Sequence, residues 1–233
     1  VGLIQEAQIV RANLRIVAAG CRGAVDPRRV AEELGVAVED LCGAVVEGDA
    51  VLAGDRRLPL AGVVHAMCRD CRQHSAADAD LRFGEPAPDA AEGAGDPFAA
   101  VREIEALDAD ARWAHFAGEL ARCNLCFACR NACPLCYCNT CFVDRTQPRW
   151  TNQTTRPEDV QFFQIIRTFH LAGRCVGCGA CTRACPQGVN LRQFLDKLRL
   201  DALELYGYEA GVDAEAKPPL ATYREDDDNS FVL

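Results

Sequence analysis

Cys123-Asn124-Leu125-Cys126-Phe127-Ala128-Cys129-Arg130-Asn131-Ala132-Cys133-Pro134 and Cys175-Val176-Gly177-Cys178-Gly179-Ala180-Cys181-Thr182-Arg183-Ala184-Cys185-Pro186 decide the reading of this chain. Both runs are C-x2-C-x2-C-x3-C-P, so the second repeats the first. This is the spacing of ferredoxin modules that hold two cubane clusters. A cubane has four iron corners, each calling for a thiolate. A tight loop with a cysteine at every third position wraps three corners, and the fourth cysteine opens a departing segment and reaches the other cluster. The spacing predicts two [4Fe–4S] clusters, one on Cys123, Cys126, Cys129 and Cys185, the other on Cys175, Cys178, Cys181 and Cys133. Ala128, Gly177, Gly179 and Ala180 are small enough to bring backbone N–H groups close to inorganic sulfur. A structural zinc site uses two separated Cys or His pairs around one tetrahedral ion. Three cysteines at i, i+3 and i+6, repeated twice, do not suit it.

Seven further cysteines bring the total to 15 in 233 residues. The count is odd, and neighbours two or three residues apart cannot easily pair. The chain is also long enough to build a core without disulfides. Metal or cluster binding in a reducing cytoplasm is the expectation. Cys68-Arg69-Asp70-Cys71 is a lone C-x2-C; with Cys21 from a Gly-flanked loop and one more thiol it would make a third cluster or a zinc site. Cys136-Tyr137-Cys138-Asn139-Thr140-Cys141 follows the first run directly and is a second candidate for extra metal. Cys42, in an ordinary segment, reads as an inert buried thiol.

Outward from the repeats, the rest of the chain has globular composition, 49% apolar and 25% charged. The formal charge of −9 argues against a nucleic-acid binder, which needs a basic footprint. No apolar run reaches the roughly 20 residues of a membrane span, and no secretory leader is read at the start. The chain opens on Val1 rather than Met, and the first piece is read as starting part-way through a domain. Charge is uneven. Residues 123–200 carry +6, whereas residues 75–122 and 201–233 carry −7 each. Thiolate-ligated cubanes are anionic, so the basic surplus in the cysteine-rich segment either offsets cluster charge or forms a docking face for an acidic partner.

The expected fold class is α+β: an α/β piece, then a two-cluster ferredoxin-like module elaborated with helices. Residues 1–74 form the α/β piece, 75–100 a linker, 101–205 the helical cluster domain and 206–233 an acidic tail. Leu14–Ala19 is a candidate strand. Asp26-Pro27 caps a helix that runs to Leu34 and stops at Gly35. Val45-Val46 and Val51-Leu52 flank a hairpin turn, and residues 61–67 fit strand or helix equally. One helix is expected from Phe98 to Arg122, with an apolar stripe of Ile104, Leu107, Trp113, Phe116 and Leu120. Another is expected after a Thr155–Glu158 capping box, with Pro157 in its first turn. Its apolar face is Phe162, Phe163, Ile166 and Phe169, and Gly173 ends it. A third starts near Asn190. His65, His74, His115 and His170 are scattered and make no acid–base constellation. No GxGxxG follows a strand, so no dinucleotide site is read.

The stretches Cys123–Cys141 and Phe169–Leu191, with Tyr206-Gly207-Tyr208-Glu209-Ala210-Gly211, resemble a family of iron–sulfur subunits. These are the β subunits of deazaflavin-dependent hydrogenases and formate dehydrogenases, and the iron–sulfur partner of flavin oxidoreductases that serve heterodisulfide-reductase-like complexes. The early stretch from Leu3-Ile4-Gln5-Glu6 through Gly20-Cys21-Arg22-Gly23, with Cys68 and Cys71, is more loosely similar to that family's N-terminal α/β domain. The resemblance implies a cytoplasmic electron-transfer subunit of anaerobic metabolism. It implies flavin- or metal-bearing oxidoreductase subunits as partners, two [4Fe–4S] clusters, and in some members FAD in the α/β domain. The alternative it carries is a flavin-bearing β subunit that itself reduces a soluble coenzyme.

Overall fold

In this computed structural model, which describes residues 10–69, 71, 79–84 and 96–221, the chain forms two compact units. One is Leu14–Pro97 and the other is Phe98–Leu233 with Val1–Asn13.

The first unit contains β1 (Val17–Ala19), α1 (Pro27–Leu34), β2 (Val45–Glu47), β3 (Ala50–Ala53), β4 (Arg56–Pro59), α2 (Leu60–Val63), α3 (Ala66–Arg69) and β5 (Leu81–Phe83). α1 has the ends its sequence predicts. Asp26 accepts a hydrogen bond from the Arg28 N–H at 3.1 Å, Pro27 occupies the first turn, and Gly35 closes the helix in the left-handed region. Asp26 also faces His65 Nδ1 at 3.2 Å. The expected hairpin forms, with Val46 opposite Val51, and β4 adds a third antiparallel strand. Val30, Val51, Leu58, Leu60, Val63 and Val64 make the buried core.

Three expectations change here. The strand foreseen over Leu14–Ala19 shortens to β1. Residues 61–67 resolve into parts of two short helices, α2 and α3. Within the stretch read as a linker, β5 pairs in parallel with β1, Val17 opposite Leu81. A parallel partner so far along the chain leaves no local turn signal, and polar neighbours masked the strand. Leu3–Glu6, His74, most of the Pro- and Gly-rich stretch and the acidic run at 225–228 lie outside the described residues.

The second unit is helical: α4 (Ala99–Glu105), α5 (Ala109–Leu120), α6 (Ala128–Asn131), α7 (Pro157–Phe169), α8 (Ala180–Arg183) and α9 (Leu191–Tyr206). The single helix expected over Phe98–Arg122 is two, because the Asp108 carboxylate accepts from the Ala111 N–H at 2.8 Å and starts a new helix. Of its stripe, Leu120 is buried and Trp113 is exposed. The capping box at α7 also shifts. Thr154, not Thr155, takes the Arg156 N–H at 3.3 Å and donates to Asp159 rather than pairing with Glu158. The inward face of α7 is Val160, Phe163, Gln164 and Arg167, whereas Phe162 and Phe169 are exposed. α7 ends at Phe169, and Gly173 takes its left-handed turn beyond it. α9 buries Leu191, Leu195 and Leu200, and Gly207 closes it. Tyr208, in the segment read as tail, is buried as well. Among the described residues no helix is long and apolar enough to cross a membrane.

The Asp26 cap carries a prediction. Asp26→Ala should make the α1 amides exchange with solvent about fivefold faster, the effect of losing roughly 1 kcal/mol of capping. Asp26→Asn, which still accepts, should restore most of the protection. Equal protection in all three proteins would show that the cap contributes nothing.

Candidate iron–sulfur centre

The two cysteine runs share a backbone as well as a spacing. Gly177 and Gly179 have φ of +68° and +67°, and the equivalent Leu125 and Phe127 have +54° and +59°. α6 and α8 then begin at the same place in each repeat, right after Phe127 and Gly179. The left-handed region costs a residue with a Cβ about 1–2 kcal/mol. Packing compensates in the first run: Leu125 is buried, and the Phe127 ring meets Phe163 edge-on at 5.1 Å with the Arg130 guanidinium 5.0 Å from its centroid. Gly177 has no such option. A Cβ there would stand 2.3 Å from Arg199 Nη1. That guanidinium is held by Asp196 at 2.7 Å, by Glu209 at 3.4 Å and over the Phe98 ring at 5.3 Å.

Cys123, Cys126 and Cys129 line one cavity, and the fourth cysteine on its wall is Cys185 from the second run. The space is about 310 Å³ with its open mouth included, and Phe163, Val189 and Leu191 form apolar walls. Gln164 Nε2 donates to Cys123 Sγ at 3.6 Å and to Cys129 Sγ at 3.9 Å. In the other set, Cys181 is buried and lies within electrostatic reach of Cys133, Cys178 and Cys175. The Gly177 N–H donates to Cys175 Sγ at 3.4 Å.

Burial pushes the Cys175 thiol up to about 12, and it raises Cys129 and Cys181 as well, against the pull of nearby guanidinium groups. These groups are therefore neutral thiols in the metal-free protein at pH 7, and binding a metal core releases their protons. Cys133 is lowered, chiefly because the Cys136 thiol donates to it. Cys136 is raised by that same bond and by burial.

Arg167 joins the two sets. It is 3% exposed, and its Nη2 donates to the Cys129 carbonyl at 3.1 Å. Burial works to lower its pKa, yet Cys129, Cys181, Cys136 and Cys133 together more than offset this. Its Nε and Nη1 have no hydrogen-bond partner within the protein. Donors this deep are costly unless something accepts from them. Anionic sulfur in the adjoining sites supplies such an acceptor, so the residues fit iron–sulfur clusters.

The sequence reading missed Gln164 and Arg167. The signal was present: positions 160, 163, 164 and 167 follow helical spacing, with two polar members on the apolar face.

The remaining cysteines fare differently. Cys136, Cys138 and Cys141 line a separate cavity of about 710 Å³, open space included. Cys68 Sγ accepts from the Ala24 N–H at 3.2 Å, beside the loop that carries Cys21, which is exposed. Cys71 is half-buried at the edge of residues that are not described. Cys42 is exposed rather than buried, its thiol 3.8 Å from the Glu39 carbonyl, because the turn after Asp40 leaves it outside the small core. Among the described residues no three His, Cys, Asp or Glu side chains converge as one metal ion requires. Thiolates around a cubane stand at the corners of a wider figure than ligands around a single tetrahedral ion. His65 Nδ1 faces Asp26 and His115 Nε2 faces Gln193 at 3.0 Å.

Residues 119–189 match the family model described as a 4Fe-4S dicluster domain. The chain is 34% identical over 99 residues to the F420-dependent formate dehydrogenase subunit beta of Methanocaldococcus jannaschii. It is 33% identical over 99 residues to the F420-dependent formate dehydrogenase 1 subunit beta of Methanococcus maripaludis. Each alignment covers 42% of this chain and 25% of the relative, so the chain spans about a quarter of the length of the relatives it matches. The fold is thus mixed helix and strand with a 4Fe-4S dicluster, ferredoxin-like domain at 119–189.

Gly177→Ala should lower iron per chain after anaerobic purification, because the new methyl meets a guanidinium that three partners hold in place. Gly118→Ala, with nothing within 4 Å and an ordinary helical backbone, should leave iron unchanged. Full iron loading in the Gly177 variant would show that the loop tolerates a side chain.

Proposed function

We propose that this chain is an electron-transfer iron–sulfur subunit of a formate dehydrogenase-type complex, with two [4Fe–4S] clusters in its second unit. Cys123, Cys126, Cys129 and Cys185 hold one cluster; Cys175, Cys178, Cys181 and Cys133 hold the other. When bound, the clusters accept and pass on single electrons. The observation that carries the reading is Cys185 on the wall of the first run's cavity, four positions after Cys181 of its own run in sequence but beside Cys123, Cys126 and Cys129 in space. An exchanged fourth ligand ties the two sites into one body.

The protein's own part is to hold the thiols, exclude water and set the charge. Phe163, Val189 and Leu191 shield one cavity. The Gly177 N–H and the Gln164 amide donate to sulfur, and such bonds stabilise the more negative, reduced state. Arg167 adds a positive charge in a low dielectric between the two sets, where it acts on both.

The partner class follows from the relatives, whose names are those of formate dehydrogenase beta subunits. Redox subunits that bear flavin or a metal centre would stand on either side of this chain. Hydrogenase and heterodisulfide-reductase types belong to the same proposal, as does a cytoplasmic location. A flavin on this chain would make it the subunit that reduces a soluble coenzyme, and a flavin assay separates the two cases.

The test uses paired variants after anaerobic purification. Cys185→Ser and Cys123→Ser should abolish the same cluster spectrum, and Cys133→Ser and Cys175→Ser the other, each single variant losing about four irons. Cys185→Ser erasing the Cys175 spectrum instead would overturn the exchanged ligation. A wild-type chain that a formate-oxidising partner subunit cannot reduce would overturn the function.

A further inference from the structure

Cys136, Cys138 and Cys141 belong to neither set of four, yet all three line one cavity, larger than the one formed by the first run and Cys185. The same wall carries Arg130, Arg167, Arg174 and His170. Asp144 is the carboxylate on this wall, and it is paired with Arg130 at 2.7 Å. Arg174 donates to the carbonyls of His170 and Leu135 and lies 5.3 Å from the Tyr137 centroid, so it is held facing the space. The cavity therefore combines three soft ligands with a surplus of positive charge. Arg167 also lines this wall, and its Nε and Nη1, buried without an acceptor from the protein, can be met from this cavity as well as from the dicluster sites.

We propose that this cavity holds a third iron–sulfur cluster, with Cys136, Cys138 and Cys141 on three irons and His170 as the side chain available to the fourth. Thiolates select iron–sulfur clusters and other soft centres, whereas an oxyanion would need the guanidiniums and no thiols. A cluster ligated by three thiolates is anionic, and it answers both halves of the lining at once. The three sulfurs do not converge as a lone zinc requires, and the space suits a polyatomic core. Assembly releases the thiol protons, and no electron is exchanged with the protein. The site adjoins the second set, because the Cys136 thiol donates to Cys133. As an extension of the electron path the proposal rests on the two-cluster reading; as a metal site it stands apart from it.

The experiment is iron and acid-labile sulfide per chain, after anaerobic reconstitution of the full chain. The wild type should hold about twelve irons and the Cys136→Ser/Cys138→Ser/Cys141→Ser variant about eight. Should the triple variant fold poorly, Cys138→Ser alone is the second probe, because Cys138 is exposed. On dithionite reduction its integrated spin should fall from about three per chain to about two, with the other two spectra unchanged. Eight irons in both wild type and triple variant would overturn the third cluster and leave the two-cluster reading intact. So would one zinc per chain that the triple variant loses, or inorganic phosphate binding that Arg174→Met abolishes with iron unchanged. Fewer than eight irons in a folded triple variant, with twelve in the wild type, would instead refute the independence of the dicluster and the two-cluster ligation with it.

Discussion

A guanidinium enclosed by thiols organises the second unit. Arg167 comes from α7, which lies between the two cysteine runs in sequence, and it reaches Cys129 of one run and Cys181 of the other. A buried cation is tolerable only where negative charge or acceptors surround it. The cysteines satisfy that condition most fully as thiolates on an anionic core. With clusters in place as proposed, the helix, the loops and the inorganic centres would be mutually dependent, each badly solvated without the others.

The two loops reach one backbone conformation by different means. In the second run the left-handed positions are glycines, at no steric cost. In the first they are Leu125 and Phe127, whose side chains pack on the apolar wall and on Phe163. Strain in one repeat is thus offset by core packing, and the glycine in the other leaves room for Arg199. The internal repeat is a repeat of geometry even where its residues differ.

Much of this was readable along the chain. The cysteine spacing, the Asp26–Gly35 helix and the 45–52 hairpin depend on neighbours within a few residues, and local sequence specifies them well. The misreadings share another cause. β5 needs a parallel partner far away in sequence. The break at Asp108 and the shifted cap at Thr154 turn on which of several polar residues wins a hydrogen bond. Phe162 and Phe169 fit an apolar stripe by spacing, but the helix is rotated so that Gln164 and Arg167 face inward in their place.

By itself the sequence determined the ligand chemistry: two runs of cysteines whose period wraps a cubane, in a locally basic segment of an acidic chain. That information is local, because the first three cysteines of each run sit within seven residues. Only the tertiary structure decided what surrounds them. It carried Cys185 to the first run's cavity, enclosed Arg167 among thiols of both runs, and gathered Cys136, Cys138 and Cys141 on one basic wall. These placements depend on how α7 and α9 pack over the loops. Packing is set by the whole apolar core at once, and no window of sequence contains it.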